Sequence, residues 1–440
     1  MAKWIVLSIG GGSSGIPNQI EPGYWPVDYW THGYWQANQW TEFGASPIPG
    51  ITGVSIPSFK ESRSPSIIIR APIWNSTGFI DDSIVQKSSG YSHTISALGG
   101  YDSATISIRL RKVDAEDWFA NGLGRHVEFY NHALVQKWEG FINEVRIGVG
   151  PLAATQGPLM DIVNRTAVVY QTVQYNTNPP IGGQRATTTQ GNNTNSQTKF
   201  GILESTLSGG EGTQTEMENV RDTFLAERGW PHSDKDINFD SPGEVTIELS
   251  CLGYHHLLQK YVYQQIANTG QYNASTKIQD VLTADPSSRF NSDYSGIVTN
   301  STQINQFENE ARDAWSVIQN ANAMGDGSGN RMLFGVYNNQ KAKYEAIPSS
   351  IALQTSLSAK RQQIESLAGS WVLPWDVTPG QWVTINDFLI GQIQPPDIKQ
   401  DQRNIFIERV TYTAPYGLSI DGVQVKTLPQ LLAQYGMGSV

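Results

Sequence analysis

The sequence predicts an α+β protein dominated by β-strand, with two β modules on either side of a helical segment. Three observations carry this. Charged residues make up only 16% of 440, while Gly (42) and Trp (13) are abundant. Typical globular domains are about 25% charged, and long helices favour Glu, Lys, Leu and Ala, so this composition favours strands. Alternation with period two recurs early and late in the chain, whereas helical spacing of apolar residues concentrates in the third quarter.

At roughly 100–200 residues per domain, the length allows two to four domains and a core that needs no disulfide or metal staple. We divide the chain into an arm (1–60), a first β domain (61–175), a polar loop with a mixed α/β segment (176–250), a helical insert (251–330) and a C-terminal β domain (331–440).

Prolines at 17, 22, 26, 47, 49 and 57 exclude a long helix from the arm. Gly23-Tyr24-Trp25 is followed by Trp30, and Gly33-Tyr34-Trp35 by Trp40, a ten-residue repeat with Trp at every fifth position. That is neither helical nor strand periodicity. It reads as an extended arm with aromatic pegs. Trp25, Trp30, Trp35 and Trp40 either pack on their own domain, stack on carbohydrate, or dock on a neighbouring subunit, where Trp and Tyr are favoured anchors.

Ala104, Ile106, Ile108 and Leu110 alternate with Thr105, Ser107 and Arg109, a half-buried strand. An acidic turn is expected over 114–117, then strands over 126–130 and 137–149, joined by a turn at Asn131-His132. Val168 to Tyr170 marks another strand. Residues 176–198 hold one charge, Arg185, and two ordinary apolar residues, Ile181 and Ala186. Such a stretch reads as a long flexible loop.

A helix over 216–227 ends at Gly229, and a strand follows over 243–252. Tyr254, Leu257, Leu258 and Tyr261 mark another helix. Ser275 is placed as the cap of a short helix. Ile304, Phe307, Ala311, Trp315 and Ile318 are spaced as one helix stopped by Gly325. Residues 331–337 and 341–347 form a hairpin around Asn338-Asn339. Strands over 381–390, 404–413 and 418–424 complete the second β module.

Charge and cysteine content exclude several functions. Lys+Arg number 30 and Asp+Glu 40, a net charge of −10, which gives no basic field for nucleic acid or an anionic membrane. Cys251 is the single cysteine, so no disulfide framework or CxxC zinc site is possible; it reads as a core residue. No apolar run approaches the ~20 residues that span a bilayer, and residues 4–9 are too short for a secretory signal.

The apparent chemical motifs fail on context. Residues 10–15 match GxGxxG, and Gly11, Ser13 and Gly15 match GxSxG, but both motifs need a following helix that Pro17, Pro22 and Pro26 forbid. Residues 326–330 begin like a calcium loop, but Arg331 and Tyr337 occupy positions that demand Gly and Glu. His255 and His256 are adjacent, so on a helix they diverge by about 100° and share no metal. Glu139 and Glu144 are expected on opposite faces of a sheet. No carboxylate pair, catalytic residue, cofactor or metal is expected.

Several stretches together have a familiar order. They are Gly100-Tyr101-Asp102-Ser103-Ala104-Thr105, Trp118 and Trp138-Glu139-Gly140-Phe141; Lys199-Phe200-Gly201 with Trp230-Pro231; Gly253-Tyr254 with Leu257 and Leu258; Ala314-Trp315 with Phe334-Gly335-Val336-Tyr337; and Pro374-Trp375-Asp376 with Pro379-Gly380-Gln381-Trp382. In this order they resemble the baseplate hub proteins of tailed bacteriophages, a trimeric family that includes late-control and related tail-hub proteins. The resemblance runs from about residue 100 to the C-terminus and rests on many weak motifs.

It implies two tube-type β-barrel or sandwich modules per chain, so that a homotrimer presents six and matches a six-fold tail tube. It implies as partners the tail tube or a distal tail protein, a central spike, fibre or tail plug, and the tape-measure protein. DNA would pass through the lumen without specific binding, and the protein would be made in the host cytoplasm and reside in the virion. Some relatives carry a fused peptidase or lysozyme domain, which the C-terminus at Val440 is expected to leave no room for. The alternatives are a carbohydrate-binding host-recognition tail protein and a cell-wall hydrolase, which needs only two suitably placed carboxylates.

Overall fold

The computed structural model describes residues 5–9, 66–74, 87–130, 135–174, 181–240, 242–263, 272–304, 312–328, 330–347, 351–356, 370–372, 382–386, 403–413 and 417–424. The chain is β-dominated α+β. The first strands are β1 (Ile5–Ile9), β2 (Ser66–Arg70), β3 (Lys87–Ser96) and β4 (Gly99–Arg111), followed by helix α1 (Lys112–Asn121). Next come β5 (His126–Tyr130), β6 (Gln136–Val149), β7 (Leu152–Gln156), β8 (Arg165–Gln174), β9 (Ile181–Thr187) and β10 (Gly191–Asn192).

Helix α2 (Thr194–Phe200), β11 (Glu204–Gly212), α3 (Gln214–Arg228), β12 (Ser233–Lys235) and β13 (Glu244–Leu252) lead to a 3-10 segment, Tyr254–Lys260. Short strands β14 (Val262–Tyr263), β15 (Tyr272–Asn273), β16 (Gln303–Ile304) and β17 (Arg312–Asp313) frame α4 (Ala274–Thr283) and precede α5 (Ala314–Met324). The last strands are β18 (Met332–Tyr337), β19 (Lys341–Ala346), β20 (Ile351–Ser356), β21 (Ser370–Val372), β22 (Trp382–Asn386), β23 (Arg403–Thr413) and β24 (Gly417–Gln424).

Among the described residues one 16-stranded sheet runs β19-β18-β4-β13-β6-β5-β2-β1-β3-β23-β22-β20, with β3 also paired to β4. The early and late β regions therefore share a sheet, joined where β23 pairs antiparallel with β3, Thr413 opposite Ser92 and Arg409 opposite Ser96. The alternation read in the sequence holds: Ala104, Ile106 and Ile108 are buried and face β13 in register, Ile108 opposite Ile247 and Ile106 opposite Leu249. Cys251 lies in the same buried row, and burial pushes its thiol pKa up.

Four local expectations are corrected. The acidic turn over 114–117 is helix α1, which buries Ala115 and Trp118; Asp114 pairs with Arg111 at 2.7 Å and Asp117 with Arg125 at 2.9 Å.

The polar stretch 176–198 is ordered over 181–198. There β9 pairs with β8, and the Asn193 side chain caps α2 by accepting from Ser196 N at 3.2 Å. Fully buried Asn164 donates to Gly201 O at 2.8 Å and accepts from Leu203 N at 2.8 Å. Amide hydrogen bonds thus supply the order that apolar content does not.

Ser275 does not cap α4. Asn273 precedes that helix, and the Ser275 hydroxyl accepts from Asn300 N at 3.1 Å. The helix expected from Ile304 starts at Ala314 instead: Ile304 lies in β16, while Phe307 and Ala311 fall outside the described residues. Asp313 interrupts the run by accepting from Ser316 N at 2.9 Å, as an N-cap does.

Candidate functional site

The four candidate anchors Trp25, Trp30, Trp35 and Trp40 lie outside the described residues, as do the Gly-rich stretch 10–15 and Asn131-His132. The calcium-like loop is a turn closed on itself: Asp326 accepts from Asn330 N at 2.9 Å and from its side-chain amide at 2.7 Å.

The chemically richest cluster forms where the start of β4 meets the 3-10 segment. Gly253 N donates to Asp102 O at 2.7 Å. A Cβ at Gly253 would stand 1.7 Å from the Tyr101 carbonyl oxygen, so only glycine lets the segment close this tightly on β4. This closure brings His255 and His256 to Asp102. The sequence expectation that the two imidazoles diverge is corrected: the 3-10 segment alone turns adjacent residues about 120° apart, but His255 hydrogen-bonds to the Tyr101 carbonyl and His256 to Asp102, which draws both rings to the start of β4. Their rings are 4.0 Å apart at the centroids.

One ligand-type atom from each of Asp102, His255 and His256 lies within 4.8 Å of the other two. His256 Nε2 is 3.0 Å from Asp102 Oδ1, to which it donates. Arg409 Nη2 is 3.7 Å from Asp102 Oδ2. The hydrogen bond from His256 holds the Asp102 carboxyl below its ordinary range; burial opposes this, and the Arg409 guanidinium assists it. His255 is 4% exposed. Burial first, then the neighbouring His256, lowers its pKa to about 3 against the pull of Asp102 and the Tyr101 carbonyl, so the ring is neutral.

A second network is buried deeper. Glu128 and Glu139 are directly opposite across the β5–β6 ladder, a pairing no sequence spacing reveals. His126 Nε2 donates to Glu128 Oε1 at 3.0 Å, and its Nδ1 is 2.7 Å from the Tyr254 hydroxyl. Arg70 reaches Glu128 Oε2 at 2.9 Å. Burial opposes ionisation of Glu128, but His126, Arg70 and Tyr130 together hold its carboxyl below the usual range. Glu139 accepts from Asn339 N at 2.7 Å, Gln340 N at 3.0 Å and Gln136 Nε2 at 2.8 Å. Both carboxylates are thus spent on holding strands and a turn.

A cleft of about 530 Å³ opens nearby, lined by Glu204, Thr206, Gln259, Asp313 and Trp315 among others. Its acids are also engaged. Glu204 accepts from Arg165 Nε at 2.6 Å and Val262 N at 3.0 Å, and Asp313 caps α5. No helix among the described residues is long and apolar enough to cross a membrane.

No protein-family model and no curated protein matches the chain. Among solved structures, a chain described as the tail protein from Neisseria meningitidis MC58 superposes with a TM-score of 0.42 at 8% identity, over 83% of this chain and 97% of that one.

Proposed function

We propose that the chain is a structural component of a bacteriophage tail, and within it the trimeric hub of the tail tip or baseplate. In this reading each chain supplies two tube-type β modules, three chains form a ring that meets the six-fold tube, and a spike, fibre or plug attaches below. The helical segment decorates the outside of the ring, and no residue is catalytic. The observation that carries the reading is the union of early and late β regions through β3 and β23, with the residues between them in sequence supplying the helices α4 and α5. The ordered series of motifs shared with tail hubs supports it, and the net charge of −10 suits a lumen that must release DNA.

Light scattering on the purified full chain over a range of concentrations tests the proposal. A trimer is the expected species. A monomer at every concentration, also when mixed with the tail-tube protein, overturns it. Replacing Trp25, Trp30, Trp35 and Trp40 by Ala is expected to weaken assembly more than it lowers the thermal midpoint of the monomer. Equal loss of both would remove the arm from the interface.

A further inference from the structure

We propose that Asp102, His255 and His256 form a binding site for a divalent first-row transition ion. The donor set is two imidazoles and one carboxylate, which suits zinc or ferrous iron and leaves further positions to water. The three donors come from sequence positions 154 residues apart at the extremes, yet their ligand-type atoms gather within 4.8 Å.

Tautomer and access both favour coordination. His255 Nδ1 is 3.0 Å from the Tyr101 carbonyl oxygen. A carbonyl only accepts, so Nδ1 carries the ring hydrogen and Nε2 carries the lone pair. A backbone carbonyl that fixes the tautomer in this way is the usual outer partner of a metal-bound histidine. The neighbouring Gly99 does not block that lone pair. A Cβ placed on Gly99 would be 2.6 Å from Nε2, 2.8 Å from Cδ2 and 2.9 Å from Cε1, so the backbone lies against the face of the ring and not in its plane. Gly99 has φ +106°, and with a side chain excluded there the ring keeps its place.

His256 and Asp102 are already near their required separation. Two ligands of a tetrahedral ion with bonds of about 2.1 Å stand about 3.4 Å apart, and His256 Nε2 is 3.0 Å from Asp102 Oδ1. On binding, the hydrogen on His256 Nε2 moves to Nδ1 through solvent, and the freed lone pair and the carboxylate both turn to the ion. Trp315 packs 5.3 Å from the His255 ring and walls the site on one side. Arg409 is the charge of unfavourable sign, but it is 53% exposed and free to swing into water.

The test uses the full chain stripped with a chelator and titrated with Zn²⁺ alone by calorimetry, with thermal midpoints measured with and without Zn²⁺. One Zn²⁺ per chain is expected, with a rise in midpoint from mass action. His256→Ala and Asp102→Asn are each expected to weaken binding by about tenfold or more and to reduce the zinc-induced rise. The exposed His232→Ala is expected to change neither. A merely structural role for the cluster would lower the midpoint of the variants while leaving the zinc-induced rise intact. That result, or the absence of saturable Zn²⁺ binding by the parent chain, overturns the proposal.

Discussion

Glu139 holds the backbone of Asn339, 200 residues further along the chain, through a 2.7 Å hydrogen bond from the Asn339 amide. The same carboxylate takes the amide of Gln340 at 3.0 Å. The β18–β19 turn is therefore pinned to β6 by one side chain that is 1% exposed. Its cross-strand neighbour Glu128 is balanced separately by Arg70 and His126, which offsets the penalty of two facing acids.

Removing Glu139 should strand those donors. Glu139→Ala leaves two backbone N–H groups without their acceptor, and a loss of about 2–4 kcal/mol is expected. Glu139→Gln keeps one acceptor oxygen and should lose less. Urea denaturation of both variants checks the order. Equal and small losses would mean that the turn finds other partners.

Acid should weaken the fold through His93. Its ring lies among Tyr91, Phe129 and Tyr412, with centroids 5.5, 5.1 and 5.3 Å away, and its Nδ1 has no hydrogen-bond partner. Burial, helped by the charge of Lys137, lowers its pKa from 6.5 to about 3. Above 6.5 neither state takes the proton; between 6.5 and 3 the unfolded chain takes it and the native chain does not. Stability therefore falls as pH falls through that window, by at most about 1.4 kcal/mol per pH unit from this group. His93→Phe should reduce the pH dependence of the urea midpoint, with the remainder in this window coming from His255, which burial lowers to about 3 as well. An unchanged slope would remove His93 as its source.

Legibility followed the kind of signal. Ile106 and Ile108 alternate with Thr105 and Ser107, so β4 could be read directly, as could the β18–β19 hairpin at Asn338-Asn339. Residues 181–200 could not, because their order comes from Asn164 and Asn193, and amide hydrogen bonding leaves no periodic trace. The Asp102–His255–His256 cluster was hidden for two reasons. Its members are remote in sequence, and the adjacent histidines meet through their side-chain hydrogen bonds to the Tyr101 carbonyl and Asp102, which backbone periodicity does not report.

The start of α5 shows a local signal losing to a periodic one. Apolar spacing favoured a helix through residues 304–318, yet Asp313 was a readable cap three residues before Ser316. Asp313 Oδ1 accepts from Ser316 N at 2.9 Å and Oδ2 from its hydroxyl at 2.6 Å. Asp313→Ala should cost about 1 kcal/mol, and Asp313→Asn should restore most of it. Thermal denaturation of the two variants reads the difference, and identical midpoints would show that the cap is idle.

The ion pair of Asp285 and Arg289 offers the sharpest test of a buried charge. Both side chains are 0% exposed and meet at 2.5 Å, and Asp285 also accepts from Arg289 N at 2.6 Å. Arg289 Nη1 has no partner, so the guanidinium is already incompletely satisfied. Asp285→Asn keeps an acceptor for the backbone but leaves the cation uncompensated, and a loss of about 3 kcal/mol is expected. Adding Arg289→Met removes the cation and preserves an apolar stem against Tyr261, whose ring lies 5.9 Å from the guanidinium carbon. The double variant should therefore recover most of the loss, since a buried pair replaced by well-packed neutral groups is often no worse than the pair itself. A double variant as unstable as the single one would show that Arg289 contributes through its hydrogen bonds and shape more than through its charge.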